Sequence, residues 1–439
     1  MTSIRQQIAK ALGPDLPTRT QVAVTGEGAL PSCFDVTGLA LASMEAAAAE
    51  LGDLLGAQRV ALNRRRALMW FDMTLRPEGW ELPGAWDSIA GNYRAADGWI
   101  RLHTNAPRHR AAALSVLGCT PEREAVARGV RHWDKDALET AVVTAGGAAG
   151  AMRGLADWAR HPQGRAVAGE PLVAWAHKGD APGELRLDGL RVLDLTRVLA
   201  GPVATRFLAG FGANVLRIDP PDWNEPGVEP EVTLGKRCAG LDLKLPADRA
   251  RFETLLRSAD VLVHGYRPEA LDRLGFGAER RRSLAPAVIE VTLDAFGWTG
   301  PWAGRRGFDS VVQMSCGLAD EGMRQAQADR PVALPVQALD HATGYLMAAA
   351  VLRALRIRND CGQALSARLS LARTAHLLVS AGLHSPAAPM PPENYADLAP
   401  ETEATGWGPA SRIAFPVEVD GNGPRWRYPA GPLRRYAAE

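Results

Sequence analysis

The stretch Leu190-Arg191-Val192-Leu193-Asp194-Leu195, followed by Gly201-Pro202 and then by Asn214-Val215-Leu216-Arg217-Ile218-Asp219, reads as strand, short helix, strand. Gly201-Pro202 opens the helix, Thr205, Phe207 and Leu208 lie within it, and Gly210 or Gly212 closes it. A strand–helix–strand unit this short implies a parallel, doubly wound sheet. The pattern repeats downstream: a helix from about Asp248 to Arg257, the strand Val261-Leu262-Val263-His264, a helix near Ala270 to Leu274, and the strand Val288-Ile289-Glu290-Val291-Thr292. No G-x-G-x-x-G occupies the first turn. A nicotinamide dehydrogenase, the usual reading of such a sheet, loses its main support.

With 439 residues the chain has room for two or three domains and a sizeable core. Its 50 Lys plus Arg nearly balance 49 Asp plus Glu, so no overall field draws it to nucleic acid or to a charged membrane. Any anion site must be local. No apolar run is long enough to span a bilayer and the amino terminus lacks a signal-peptide core, so a cytoplasmic protein is expected. Cys33, Cys119, Cys238, Cys316 and Cys361 form no C-x-x-C pair, which favours buried thiols over disulfides or zinc. His103 and His109, six apart across Pro107, are the nearest approach to a metal pair, and none is expected.

Ahead of the sheet, Asp35 to about Leu55 is an Ala-rich helical run, and Gln58-Arg59-Val60-Ala61-Leu62 alternates like a strand. Pro77 to Pro83 reads as a linker, and Tyr93 to Leu102 as two strands about an Asp97-Gly98 turn. Helical patterns follow over 111–117, 120–128 and 136–145, and a further helix stops at Pro162. This part is a small α+β domain. Its boundary is expected at Ala181-Pro182-Gly183.

One carboxylate stands apart. In Gln337-Ala338-Leu339-Asp340-His341-Ala342-Thr343-Gly344-Tyr345 an extended run ends at Asp340, and Ala342, Tyr345, Leu346, Ala349, Leu352 and Leu355 then recur at helical spacing. The helix is expected to start just after Asp340 and bury that stripe. Asp at a helix start is commonly a cap. The other reading is a nucleophile or acid/base group held at the positive end of the helix. Asp35 and Asp340 open similar segments: acid, Ala-rich helix, Gln, short strand, Arg/Ala. This suggests an internal repeat.

Leu193-Asp194-Leu195-Thr196-Arg197-Val198-Leu199-Ala200-Gly201-Pro202, Phe211-Gly212-Ala213-Asn214-Val215, Gly235 to Lys244, and Ala259 to Pro268 are blocks in which the chain resembles the family III CoA-transferases, the CaiB/BaiF group that includes formyl-CoA transferase. Leu274-Gly275-Phe276-Gly277, Phe296-Gly297-Trp298-Thr299-Gly300-Pro301 and Gly307-Phe308-Asp309 follow in order, and Asp340 falls at the family's catalytic aspartate. Asp97-Gly98-Trp99-Ile100 and Trp158 to Pro162 resemble the family's small domain, which usually follows the large one. Here it comes first, as if a degenerate copy were fused ahead of a fuller catalytic half. The domains expected are therefore 1–76, the end of a degenerate large domain; 77–182, the small α+β domain; 183–385, the Rossmann-like large domain; and 386–439, an extension returning to the small domain or the core.

The resemblance implies transfer of coenzyme A between carboxylic acids through an anhydride and then a thioester on Asp340. Acyl-CoA is a substrate in this scheme, and no tightly bound cofactor is implied. Position in the blocks assigns Lys244, Arg273 and Arg306 to the CoA phosphates, with Lys236 and Arg237 nearby. Tyr266 is assigned to the adenine or pantetheine, and Val198, Leu199 and Leu241 to the wall. Asp340 is expected to be ionised at neutral pH, as an ordinary aspartate is. His264-Gly265 departs from the usual Glu-Asn and removes an amide. Phe308 stands where 2-methylacyl-CoA racemases keep a proton-transfer His, which leaves His341 and His264 as substitutes. Asp309 reads as a structural hydrogen-bonding residue. Trp80, Trp86, Tyr93, Trp99, Trp133 and Trp158 are core or pocket wall. A silent acyl-CoA-binding homologue and a racemase remain the alternatives. The family's interlocked chains imply a homodimer, and the altered domain order leaves a monomer open.

Overall fold

The computed structural model describes residues 2–13, 17–181 and 183–439. Pro182, at the expected boundary, lies outside the described residues, as do Met1 and residues 14–16 of the first expected segment. The central sheet has seven strands in the order Arg237–Gly240, Asn214–Asp219, Arg191–Leu195, Val261–His264, Ile289–Asp294, Gln363–Ser370, Ala174–Asp180. All pairings are parallel except the last. The chain winds outward from Arg191–Leu195 in one direction, then crosses to Val261–His264 and winds in the other. Those two strands therefore flank a topological switch point, where a crevice opens at the carboxyl ends.

Alternation along the strands makes the layers. Val192, Val215, Val261, Val263, Ile289 and Val291 join the core that holds the helices Ala200–Gly210 and Ala338–Cys361. Leu193, Leu195, Leu216, Ile218 and Leu262 face the other way, onto Phe252 and Leu256 of the helix Pro246–Ser258. Both faces of a parallel sheet are thereby covered, which is why its strands read as near-continuous apolar runs.

The helix Ala338–Cys361 departs from the expectation in two ways. It starts before Asp340, with Gln337 as N-cap, so the acid occupies the third helical position. It is also buried all round from Ala338 to Arg356, because the helix Val36–Leu55 covers the face that a one-sided stripe would leave to water. Arg356 ties the pair by donating to buried Glu50 at 2.7 Å and contacting Asp53 at 2.9 Å. Both helices end in a left-handed glycine, Gly56 (φ 63°) and Gly362 (φ 67°). A strand and a helix follow each: Val60–Asn63 with Arg64–Met69, and Gln363–Ser370 with Leu371–Ser380. Gly344 lets the helix Ala200–Gly210 approach, since a Cβ there would lie 2.4 Å from the Ala200 carbonyl oxygen.

The small sheet Gly91–Arg94, Trp99–Leu102, Ala149–Ala151 is antiparallel, with the helices Pro107–Leu117, Arg123–Val130 and Lys135–Thr144 packed on it. Pro162 opens a second helix, Pro162–Gly169, instead of ending the region, since its fixed φ suits a first turn. The strand Ala174–Asp180, on the small-domain side of the expected boundary, is the edge strand of the large sheet. In the last segment Val417–Val419 pairs with Val60–Asn63, Pro409–Arg412 pairs with Leu75–Pro77, and Trp426 stacks on Trp70 at 5.8 Å.

Candidate active site

The crevice at the switch point is a cavity of about 250 Å³ with Asp340 in its wall. Arg197 and Val198 reach it from the end of Arg191–Leu195, Tyr266 and Arg267 from the end of Val261–His264, and Asp294 from the end of Ile289–Asp294. The loop before Asp309 adds Arg305, Arg306 and Phe308, and the helix Pro107–Leu117 adds Arg108 and His109. A second cavity of about 410 Å³ shares Arg108, Leu195, Arg197, Trp223 and Tyr266 with the first, and runs on to Leu241, Lys244 and Leu274. Together they form one elongated groove with Asp340 at one end and Lys244 at the other.

Asp340 is 7% exposed, and among the described residues its carboxylate accepts no hydrogen bond. It is therefore not a cap. That task falls to Asp309, which starts the helix Asp309–Ser315: its Oδ2 accepts from the Asp340 backbone N–H at 2.9 Å, and its Oδ1 from Gln313 Nε2 at 2.5 Å. Burial, and then the nearby Asp309 charge, push the Asp340 carboxyl well above the usual carboxylate range. Asp309 itself is pushed up to about 6, chiefly by burial. The expectation of an ordinary, fully ionised aspartate is thus corrected, because two buried carboxyls lie close together. Asp294 is a third raised acid, at about 7 through burial, although it accepts backbone N–H groups from Phe296 and Gly297 at 2.6 Å.

Of the residues assigned from sequence, Val198, Arg306 and Asp340 line the inner cavity, Leu241 and Lys244 the outer one, and Tyr266 both. Leu199 does not line either cavity. It caps the helix Ala200–Gly210 and is buried in the apolar core beneath. Arg273 is exposed at the end of the helix Pro268–Arg273, also outside both cavities, because its helix turns that side chain to solvent. Lys236 is buried and paired with Asp194 at 3.1 Å, and burial pushes its ammonium down to about 8. Arg237 donates to the Glu439 carbonyl at 2.8 Å, so neither basic residue of this pair is turned to the groove.

The substitute racemase bases also lie elsewhere. His264 points into a buried cluster with Glu290, at 3.2 Å, and Arg281. His341 stacks on Phe71 at 5.1 Å, one helical position round from Asp340 and on another face. His103 and His109 bracket Phe308: His103 lies flat on its ring at 3.7 Å and His109 meets it edge-on at 5.7 Å. Among the described residues no group of three or more His, Cys, Asp or Glu could hold a metal ion. The six aromatics of the small domain line neither cavity.

Several groove residues escaped the reading of the sequence. Arg197 donates to the Tyr266 hydroxyl at 2.6 Å, with its guanidinium 4.8 Å from the Trp223 ring centroid and 4.9 Å from that of Tyr266. Arg108 and Arg267 complete a cationic rim, in which Arg267 pairs with Glu269 at 2.8 Å. Val198 is held at φ 63°, a strained angle for a β-branched residue, with its N–H donated to Glu225 Oε2 at 2.8 Å. Arg197 and Arg267, inside the quoted blocks 193–202 and 259–268, carried a local signal. Arg108, His109 and Trp223 become neighbours through folding alone.

Among the described residues no helix is long and apolar enough to cross a membrane. Residues 187–402 match the profile of CoA-transferase family III. The chain is 34% identical over 200 residues to an acetyl-coenzyme A transferase of Hypoxylon pulicicidum, covering 44% of this chain and 34% of that protein. It is 34% identical over 192 residues to a probable fatty acyl-CoA transferase of Mycobacterium tuberculosis, covering 40% and 48%. A crystal structure of a CaiB/BaiF family protein from Brucella suis aligns with a TM-score of 0.39 at 25% identity, over 52% of this chain and 65% of that one. The chain spans a third to about half the length of the first curated relatives it matches. The match places residues 187–402, which hold six of the seven strands of the large sheet and Asp340, in CoA-transferase family III.

Proposed function

We infer that this protein transfers coenzyme A from an acyl-CoA donor to a carboxylic acid acceptor, with Asp340 as the group that bonds covalently to the acyl carbon. One observation carries the reading. A carboxylate with no hydrogen-bond partner among the described residues, at the start of a buried helix, lines a groove whose far end holds an exposed lysine. An acyl-CoA lying along it would put its nucleotide near Lys244 and Arg108 and its thioester at Asp340.

The chemistry balances without a cofactor. An ionised Asp340 oxygen attacks the thioester carbon, the C–S bond breaks, and CoA leaves as thiolate from a mixed anhydride. The thiolate attacks the aspartyl carbonyl, releasing the donor acid and leaving an aspartyl-CoA thioester. The acceptor carboxylate then repeats both steps in reverse. Burial serves this scheme, since water reaching either intermediate would hydrolyse it. The raised carboxyl of Asp340 means that the reaction draws on the ionised fraction, which grows with pH.

Incubation with acyl-CoA and hydroxylamine should trap a hydroxamate at position 340, found by peptide mass. Transfer at the normal rate by a folded Asp340→Ala variant would remove the scheme. A silent binding protein would show CoA affinity in calorimetry with no acceptor turned over. A racemase would exchange the substrate α-hydrogen with deuterated water, and the placement of His264 and His341 outside the groove counts against it.

A further inference from the structure

His109 is a buried imidazole that this transfer scheme leaves unused. It lies near the start of the helix Pro107–Leu117, is 2% exposed, and among the described residues neither ring nitrogen has a hydrogen-bond partner. His109 also lines the Asp340 cavity. A buried ring N–H without a partner is a donor in want of an acceptor, which an oxygen gaining charge in the cavity would supply. The side chain is well braced for such a contact. Phe308 meets it edge-on and is itself clamped by His103. Burial, then the charges of Arg108 and Arg306, push the His109 imidazole down to about 4, so it is neutral at pH 7 with one N–H to donate.

We propose that His109 is a catalytic residue supplied by the segment that precedes the sheet, donating a ring N–H to the acyl carbonyl oxygen as that oxygen gains charge under attack by Asp340. The inference rests on the transfer reading above. In the step itself the Asp340 oxygen–carbon bond forms and the carbonyl π-pair moves onto oxygen, where the N–H holds it. The pair then returns as the C–S bond breaks, and no proton changes hands. A donor placed where charge develops acts on the rate and not on ground-state affinity.

The test compares wild type, His109→Ala and His109→Gln in single-turnover formation of the Asp340 adduct from acetyl-CoA, with CoA affinity measured by calorimetry. Removing such a donor should slow adduct formation about 100- to 1000-fold, with CoA affinity kept within about threefold. Glutamine, whose side-chain amide keeps an N–H donor, should recover about tenfold or more of that loss. Wild-type rates in the alanine variant would overturn the inference. So would equal losses of rate and affinity, or equal defects in Ala and Gln with melting temperatures unchanged. Absence of any adduct in the wild type would instead remove the transfer reading itself, and the two failures are distinct.

Discussion

The Oδ2 of Asp309 accepts the backbone N–H of Asp340 at 2.9 Å, so the acid that starts one helix caps the next and releases the second acid from capping. The contrast with Asp35 is direct. That residue spends its own Oδ1 on the Gly38 N–H, at 2.7 Å, at the start of the helix Val36–Leu55. Two acids with similar sequence surroundings therefore do different things.

Replacing Asp309 with Asn should separate its two effects on Asp340. The like charge is removed, so the rising limb of the pH–rate profile should move to lower pH. The plateau should fall by about tenfold or more, because an amide cannot accept from both the helix N–H and Gln313 without turning its own N–H₂ toward a donor. Profiles of adduct formation from pH 5 to 9 would show both. A limb unmoved or displaced to higher pH would contradict the coupling.

Asp340→Asn should stabilise the protein at alkaline pH. A carboxyl whose folded pKa lies above its unfolded value favours the fold while protonated, and that contribution is lost as pH rises through the folded pKa. The neutral amide avoids the loss. Urea midpoints should therefore favour the variant at pH 8, by on the order of 1 kcal/mol, and converge with wild type near pH 4.

Lys244→Ala should weaken CoA binding about tenfold, the scale of one charged contact, while a pantetheine thioester without the nucleotide is bound as before. Arg273→Ala should change neither, since its side chain lies outside the groove. Calorimetry with both ligands reads this out. Equal weakening of CoA and pantetheine by Lys244→Ala would remove Lys244 from the nucleotide end.

Gly344→Ala should cost about 1–3 kcal/mol, because its Cβ would sit 2.4 Å from the Ala200 carbonyl and 2.8 Å from Val203 Cβ. Ala200 also lines the cavity, so adduct formation should slow along with the drop in melting temperature. An unchanged melting temperature would mean that the two helices part without cost.

The strands Arg191–Leu195, Asn214–Asp219, Val261–His264 and Ile289–Asp294, the helices between them and the α/β class were legible in the sequence, as was the block order that singles out Asp340 as a candidate. Strand alternation, helix spacing and Gly or Pro punctuation are local, and the ordered motif blocks carried the family resemblance. What stayed hidden depends on residues far apart in the chain. Leu199 and Arg273 sit in blocks that promise contact with ligand, yet their helices turn one into the core and the other to water. The helix Ala338–Cys361 reads as one-sided until the helix Val36–Leu55 covers its outer face. Asp340 reads as an ordinary carboxylate until burial and Asp309 raise it, and His109 reads as a stray base until folding sets it in the same cavity. Local pattern decides which element a residue belongs to. What that residue faces, and which proton it keeps, are set by neighbours that only the folded chain brings together.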